Sequence, residues 1–478
     1  MSVMRGRGFE FSPLPRKSKW SFIVIGIILL LASGLGFISS RQSGSAPTSL
    51  NNGVETLQTQ SSSTETRYLA FQVFIGAGDP TKPVGDSATL FAPPSKAVLS
   101  SFTDSLISTI GTTGNEHQKL AFIPGPISFD YTDADIRRLI SDSFAIAEEK
   151  NIAVGFHVDD SMWWAKRTDL LKNPKNIEWT DWNGTVFPHR YVDWVMVALP
   201  PQMCYNSPEI VNAVSKEARD VIGPAIAQGI AHLKSINKEH LFAGVISGWE
   251  THLIDYSYYG KTVPAVATLM DQDKAPQVRI GYCALSNLGY SAENPPANFD
   301  TALDDVVRDF ALLWAKELNG AGVPKEKIYT HIAYIDEKSM PPLDVIAKGL
   351  DISNPTYSAL SRHSPFSAAF NDYSRPGFST YPDKGIFDAI YRELANHPTI
   401  GWASSEGTNV IPGQSADSSG MSMETYLARM FNHGATLVNI FSWGMGGDAL
   451  KSTNPFRIVT EGPEAIAAYQ KFLSGGDS

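Results

Sequence analysis

The sequence predicts an α/β chain of the (β/α)8 (TIM) barrel class, preceded by one membrane-spanning helix. Three observations predict it. Eight short apolar runs follow one another beyond Arg67, most of them continuous rather than alternating, as parallel strands covered on both faces are. Amphipathic stretches at helical spacing separate them, giving the strand-then-helix order of such a barrel. Long aromatic-rich insertions follow the third and fourth runs, where a barrel carries the rim of its active site.

At the N-terminus, Arg5, Arg7, Arg16, Lys17 and Lys19 precede an uncharged apolar run from Trp20 to Ile38. As a helix the run spans roughly 28 Å, about the hydrocarbon thickness of a bilayer. The positive-inside rule places residues 1–19 in the cytoplasm and the chain beyond Arg41 outside it, periplasmic or at the cell surface. A long cleaved signal peptide is the competing reading, with Ala32, Ser33 and Gly34 as small residues for processing. Both readings export the rest. Residues 39–66 are rich in Ser, Thr, Gln, Asn and Gly and form a flexible tether. Residues 67–478 form the barrel domain.

The expected strands are Tyr68–Gly76, Lys119–Pro124, Ile152–Asp159, Leu241–Trp249, Ile328–Ile335, Ser367–Tyr373, Thr399–Ser405 and Thr436–Trp443. The expected helices are Pro94–Ile110, Asp133–Lys150, Pro208–Ile236, Thr301–Leu318, Gly385–Asn396, Met421–Asn432 and Pro463–Leu473. Gln277–Ala284 is read as part of the second insertion, with a ninth strand as the alternative. An open doubly wound sheet is the rival fold. No strand leads into a GxGxxG or Walker-type loop, so neither its nucleotide chemistry nor any cofactor has a motif here. The insertions at 161–205 and 251–300 hold Trp163, Trp164, Trp179, Trp182 and Trp194, and Tyr256, Tyr258, Tyr259, Tyr282 and Tyr290. Some of these pack the insertions down, and others can line a groove.

The 478 residues are 43% hydrophobic and only 18% charged, which excludes a mainly disordered chain. A net charge of −10 with no concentrated basic face argues against a nucleic-acid partner. Aromatic content of 11% suits a neutral substrate such as a carbohydrate, whose C–H faces stack on aromatic rings. Two cysteines, Cys204 and Cys283, can make neither a disulfide scaffold nor a four-thiolate zinc site. They are either one disulfide or two separate buried thiols.

Barrel chemistry sits at the C-terminal ends of strands. The third run ends in His157, Asp159 and Asp160, followed by Trp163, a set that can hydrogen-bond sugar hydroxyls or form a structural network. A metal centre would need further ligands, and only His331 is an obvious one, so no metal is expected. The fourth run ends in Trp249-Glu250 and the seventh in Ser405-Glu406. Two carboxylates facing each other across a cleft are what glycosidic bond cleavage requires, and a separation of about 5 Å corresponds to retention of configuration. Either glutamate alone can also be an ordinary loop residue. The eighth run ends in Trp443, a flat floor for a sugar ring or a core residue. Trp249 beside Glu250 is a further candidate for contact with the substrate, and His331, Asn371, Asp372 and Tyr373 are further candidates for holding hydroxyls.

This arrangement of strand ends resembles the retaining glycoside hydrolases of clan A. The resemblance implies Glu250 as acid/base, Glu406 as nucleophile and Trp443 as sugar platform. The clan normally has Asn before the acid/base, where this sequence has Trp249. Three alternatives stay open: an inverting hydrolase pairing Asp159 or Asp160 with Glu250, a metal-dependent hydrolase using His157, Asp159 and His331, and a non-catalytic polysaccharide-binding barrel.

Overall fold

The structure is a computed structural model that describes residues 65–74, 93–191, 198–249, 251–254, 278–332, 362–363, 365–380, 384–398, 400–407, 421–443 and 462–475. The expected membrane span and nearly all of the tether lie outside the described residues. Among the described residues no helix is long and apolar enough to cross a membrane.

Eight parallel strands close into a ring: β1 Arg67–Phe74, β2 Gln118–Gly125, β3 Ala153–Asp159, β4 Phe242–Ser247, β5 Ile328–Ile332, β6 Arg375–Thr380, β7 Trp402–Gly407 and β8 Ala435–Trp443. Each pairs in parallel with its sequence neighbours, and β8 returns to β1. The ring decides between the rival folds, because an open doubly wound sheet has two unpaired edges.

Seven of the strands overlap their expected runs. The sixth does not: β6 is Arg375–Thr380, and Phe366–Ala369, which overlaps the start of the expected run, is a short 3-10 turn. Of Gln277–Ala284, the described residues 278–284 hold no strand, and Tyr282–Asn287 is helical.

Helices cover the outside of the ring: α1 Lys96–Ile110, α2 Asp133–Lys150, α3 Pro208–Ser235, α4 Phe299–Gly320, α5 Lys384–Leu394, α6 Met423–Phe431 and α7 Pro463–Leu473. The Thr132 side chain caps α2 by accepting from the Asp135 amide, and Asn151 ends it in the left-handed region, the expected terminal chemistry. Within α3, residues Glu217–Ile222 widen into a π-turn ahead of Pro224. Proline has no N–H to return to the carbonyl four residues back. That carbonyl, of Asp220, is taken by the Arg137 guanidinium of α2, so the irregularity ties two helices together.

The interior of the ring is filled by Tyr68, Ala70, Ala121, Ile123, Ala153, Ala243, Ile246, Tyr329, Ala403 and Leu437. The larger cluster lies between the ring and the helices. In the first insertion Trp164 is fully buried and donates to the Pro201 carbonyl, while Trp179 donates to that of Pro174. Trp182 meets Tyr282 of the second insertion edge-on at 5.0 Å, and Tyr205 stacks on Phe310 of α4 at 4.1 Å. These aromatics pack the insertions onto the barrel. Trp194, Tyr256, Tyr258 and Tyr259 lie outside the described residues.

Candidate functional site at the C-terminal mouth

Glu406 stands one residue from the end of β7. Ser404 turns toward the helices, where its hydroxyl meets Thr380 Oγ1 at 2.6 Å, while Ser405 turns inward to His331. Strict alternation would send Glu406 outward again. The pairing with β6 instead skips Ser405, going from Phe378–Ser404 to Ser379–Glu406. A bulge of this kind re-aims one side chain. It turns Ser405 and Glu406 to the same side, and Gly377 makes room, since a Cβ there would lie 2.8 Å from Ser405 Oγ.

The Ser379 hydroxyl donates to Glu406 Oε2 at 3.0 Å. Nε2 of His331 lies 3.5 Å from the same oxygen, with the histidine fully buried and the carboxylate 23% exposed. Nδ1 of His331 lies 2.6 Å from Ser405 Oγ. A carboxylate that is partly open to solvent, yet held on its buried side by a hydroxyl, is oriented without being sealed.

A buried polar layer continues under it. The Asn439 amide of β8 donates to the Ser405 carbonyl and to Gln72 Oε1 of β1, both at 2.8 Å. His157 of β3 has Nδ1 3.0 Å from Gln72 Oε1 and Nε2 2.7 Å from the Gly248 carbonyl. Burial, and secondarily the neighbouring His331, hold His157 well below the usual histidine range. The two imidazoles meet edge to face at 5.6 Å, and Trp249 lies over His157 at 4.6 Å. Gln72, Ser379, Ser405 and Asn439 escaped the sequence reading. The available signal was a lone amide inside each of the first and last apolar runs.

Glu250 lies outside the described residues, but both of its neighbours are described. Asp160 accepts from the Trp249 amide at 3.3 Å and from the Thr251 hydroxyl. Gly248 permits that turn at φ +98°, and a Cβ there would sit 2.7 Å from Thr251 Oγ1.

Several expected roles are corrected. Asp159 and Asp160 are fully buried. Asp159 accepts from the amides of Ser161, Met162 and Trp163, so it folds the loop beyond β3. Burial, then the Asp160 charge, push its carboxyl up to about 7. Asp160 is likewise raised, chiefly by burial. Neither offers an open carboxylate to a sugar, as hydroxyl binding or an inverting pair would require. Trp163 is half-buried, held by its amide at Asp159 and its carbonyl at Ser128 Oγ. Trp249 is 6% exposed. Trp443 is 2% exposed and packs edge-on to Phe71. The β1–β8 register slips between Gln72 and Val73, which turns it toward the helices instead of the mouth.

Asn371, Asp372 and Tyr373 precede β6 and therefore lie at the opposite, N-terminal end of the ring. There the Asn371 amide donates to Thr330 Oγ1 and Ser374 Oγ, closing a turn. Among the described residues no three His, Cys, Asp or Glu side chains converge as a metal site would require. The trio of the metal-dependent alternative is otherwise engaged, His157 by Gln72 and Gly248, Asp159 by three amides and His331 by Ser405.

No protein-family model matches the chain, and no curated protein matches it. Among solved structures, it is similar to the catalytic domain of a β-amylase from Paenibacillus polymyxa, with a TM-score of 0.42 and 9% identity over 86% of this chain and 98% of that one. A broad specificity endoglucanase from an uncultured bacterium gives 0.38 and 10% over 87% and 95%. A β-glucuronidase from Bacteroides uniformis gives 0.34 and 8% over 86% and 35%. The barrel assignment itself rests on the closed ring of parallel strands.

Proposed function

We propose that this chain is a glycoside hydrolase that cleaves an oligo- or polysaccharide with retention of configuration. Glu406 is the nucleophile and Glu250 the acid/base. The observation that carries the reading is the bulge that turns Glu406 inward, where Ser379 holds one oxygen and His331 faces it. In the first half-reaction Glu406 attacks the anomeric carbon while Glu250 protonates the leaving oxygen. In the second, Glu250 deprotonates the water that releases the sugar. With the Ser405 hydroxyl donating to His331 Nδ1, the Nε2–H faces Glu406 and steadies its negative charge as the glycosyl–enzyme bond breaks. Residues 20–38 anchor the enzyme, and the tether carries the barrel outside the cytoplasm.

Separate Glu406→Gln and Glu250→Gln variants, assayed on a panel of aryl glycosides, test the assignment. Each is expected to lower turnover by at least about a hundredfold, the scale of positioned acid–base help. Loss of less than tenfold in both removes the assignment. Anomer formation followed by NMR checks retention, and protease protection in intact cells checks the exported location. A second reading, a barrel that binds polysaccharide without cutting it, is favoured by Trp249 in the place of the clan's Asn. Glycan binding with no product after long incubation would establish it instead.

A further inference from the structure

We propose that Cys204 and Cys283 are a disulfide-forming pair that ties the insertion after β3 to the insertion after β4 once the chain is exported. The proposal shares with the reading above only the exported location. The two residues belong to different insertions, yet both are fully buried as unlinked thiols.

Four hydrogen bonds bring them together. The Cys204 amide donates to the Asn176 carbonyl at 2.9 Å, and the Cys283 thiol donates to the carbonyl of the preceding residue, Lys175, at 3.2 Å. From the other side, the Asn287 amide donates to Cys204 Sγ at 3.3 Å. The Asn206 amide bridges the two segments by donating to the Ala284 carbonyl at 2.8 Å. The Cys204 thiol donates to Asn206 Oδ1 at 3.6 Å, and the nearby Cys283 thiol adds to the rise that burial imposes on Cys204. Glu178, fully buried beside them, accepts from the Cys283 amide at 3.2 Å. Burial pushes its carboxyl up to about 8, so at neutral pH it places no full charge against the sulfurs.

A buried thiol with a raised pKa is unreactive toward solution reagents. The bond therefore forms as the insertions fold, by exchange with a disulfide-bearing partner in an oxidising compartment. Two S–H bonds break and one S–S bond forms. The two electrons and two protons pass to the partner, which leaves as a dithiol.

The test uses the full chain. It is denatured and reduced, refolded in a mixture of oxidised and reduced glutathione, alkylated under denaturing conditions and mapped by mass spectrometry without reduction. The expected result is one cross-linked peptide pair, Cys204 with Cys283, two hydrogens lighter than its parts. Reductant should then lower the melting temperature by about 3 °C or more, a shift absent from Cys204→Ser. Both cysteines alkylated after oxidative refolding would overturn the pair. So would linkage between copies. The same mapping on chain taken from membranes without reductant tests the export condition, and free thiols there would overturn that part alone. Glycosidase activity is read separately, so a linked but inactive chain counts against the hydrolase reading and leaves the pair standing.

Discussion

The two ends of the barrel satisfy their polar groups differently. At the N-terminal end Arg375 grips both oxygens of Glu65, at 2.5 and 3.1 Å, and reaches Thr436 Oγ1. Tyr329 meets the same Thr436 hydroxyl at 2.9 Å. Lys327 donates to Tyr68 at 3.2 Å and lies over its ring at 4.4 Å. At the C-terminal mouth, Gln72 Nε2 and Asn439 Oδ1 are buried without a hydrogen-bond partner among the described residues, and His331 Nε2 faces Glu406 Oε2 at 3.5 Å. One end is built for closure. The other keeps hydrogen-bonding capacity in reserve, where a barrel does its chemistry.

The sharpest way to break this contrast is to change one residue at each end and read activity and stability together. Glu406→Gln should lower turnover by about a thousandfold while moving the melting temperature by no more than about 3 °C, because shape and most contacts persist. Steady-state assays beside thermal unfolding check this. A variant that unfolds but keeps its specific activity would show Glu406 to be structural.

Arg375→Met should do the reverse. It leaves Glu65 half-buried without its cation and should lower stability by about 2–4 kcal/mol, with turnover within about twofold below the melting transition. Denaturant unfolding measures the first quantity. Turnover lost in parallel with that of Glu406→Gln would mean that the two ends are not separable.

His331 sharpens the comparison inside the mouth. It faces Glu406 Oε2 at 3.5 Å, so it is a positioning residue. His331→Ala should lower kcat about tenfold with KM within about threefold. His331→Gln, which can return an N–H to the position of Nε2, should recover most of the loss. Equal damage by both variants would reduce His331 to packing.

The ring was legible because parallel strands buried on both faces leave continuous apolar runs. The sixth strand was not. Arg375-Pro376-Gly377-Phe378-Ser379-Thr380 has a proline, a glycine and two hydroxyl residues, which is the composition of a turn. Its glycine exists for a neighbour, leaving room for the Ser405 bulge. That bulge hid the site in turn. A period-2 reading cannot know that a ladder skips one residue, so the inward aim of Glu406 and the outward aim of Trp443 were both invisible. Glu406 was still found, because a carboxylate at the end of an apolar run is conspicuous wherever it points. Gln72 and Asn439 needed the ring to be closed before β1 and β8 became neighbours.

The smallest expected effect is a difference in pH response that belongs to the mouth. Asp159 has its carboxyl pushed up to about 7 by burial and by Asp160, against an ordinary value near 4 in the unfolded chain. Below about pH 4 both states hold the proton. Between about 4 and 7 the unfolded chain has released it and the folded chain has not, so folding takes up a proton and stability falls as pH rises. Above that window both states are ionised and this contribution no longer changes. Asp159→Asn cannot ionise, and should flatten the fall by up to about 1.4 kcal/mol per pH unit, even though its amide cannot accept from all three loop N–H groups. Denaturant unfolding at pH 4, 5.5, 7 and 8 separates the slope from that uniform offset. A slope equal to the wild type's would move the pH response away from Asp159, and the loop beyond β3 would then be held by a carboxylate ionised throughout.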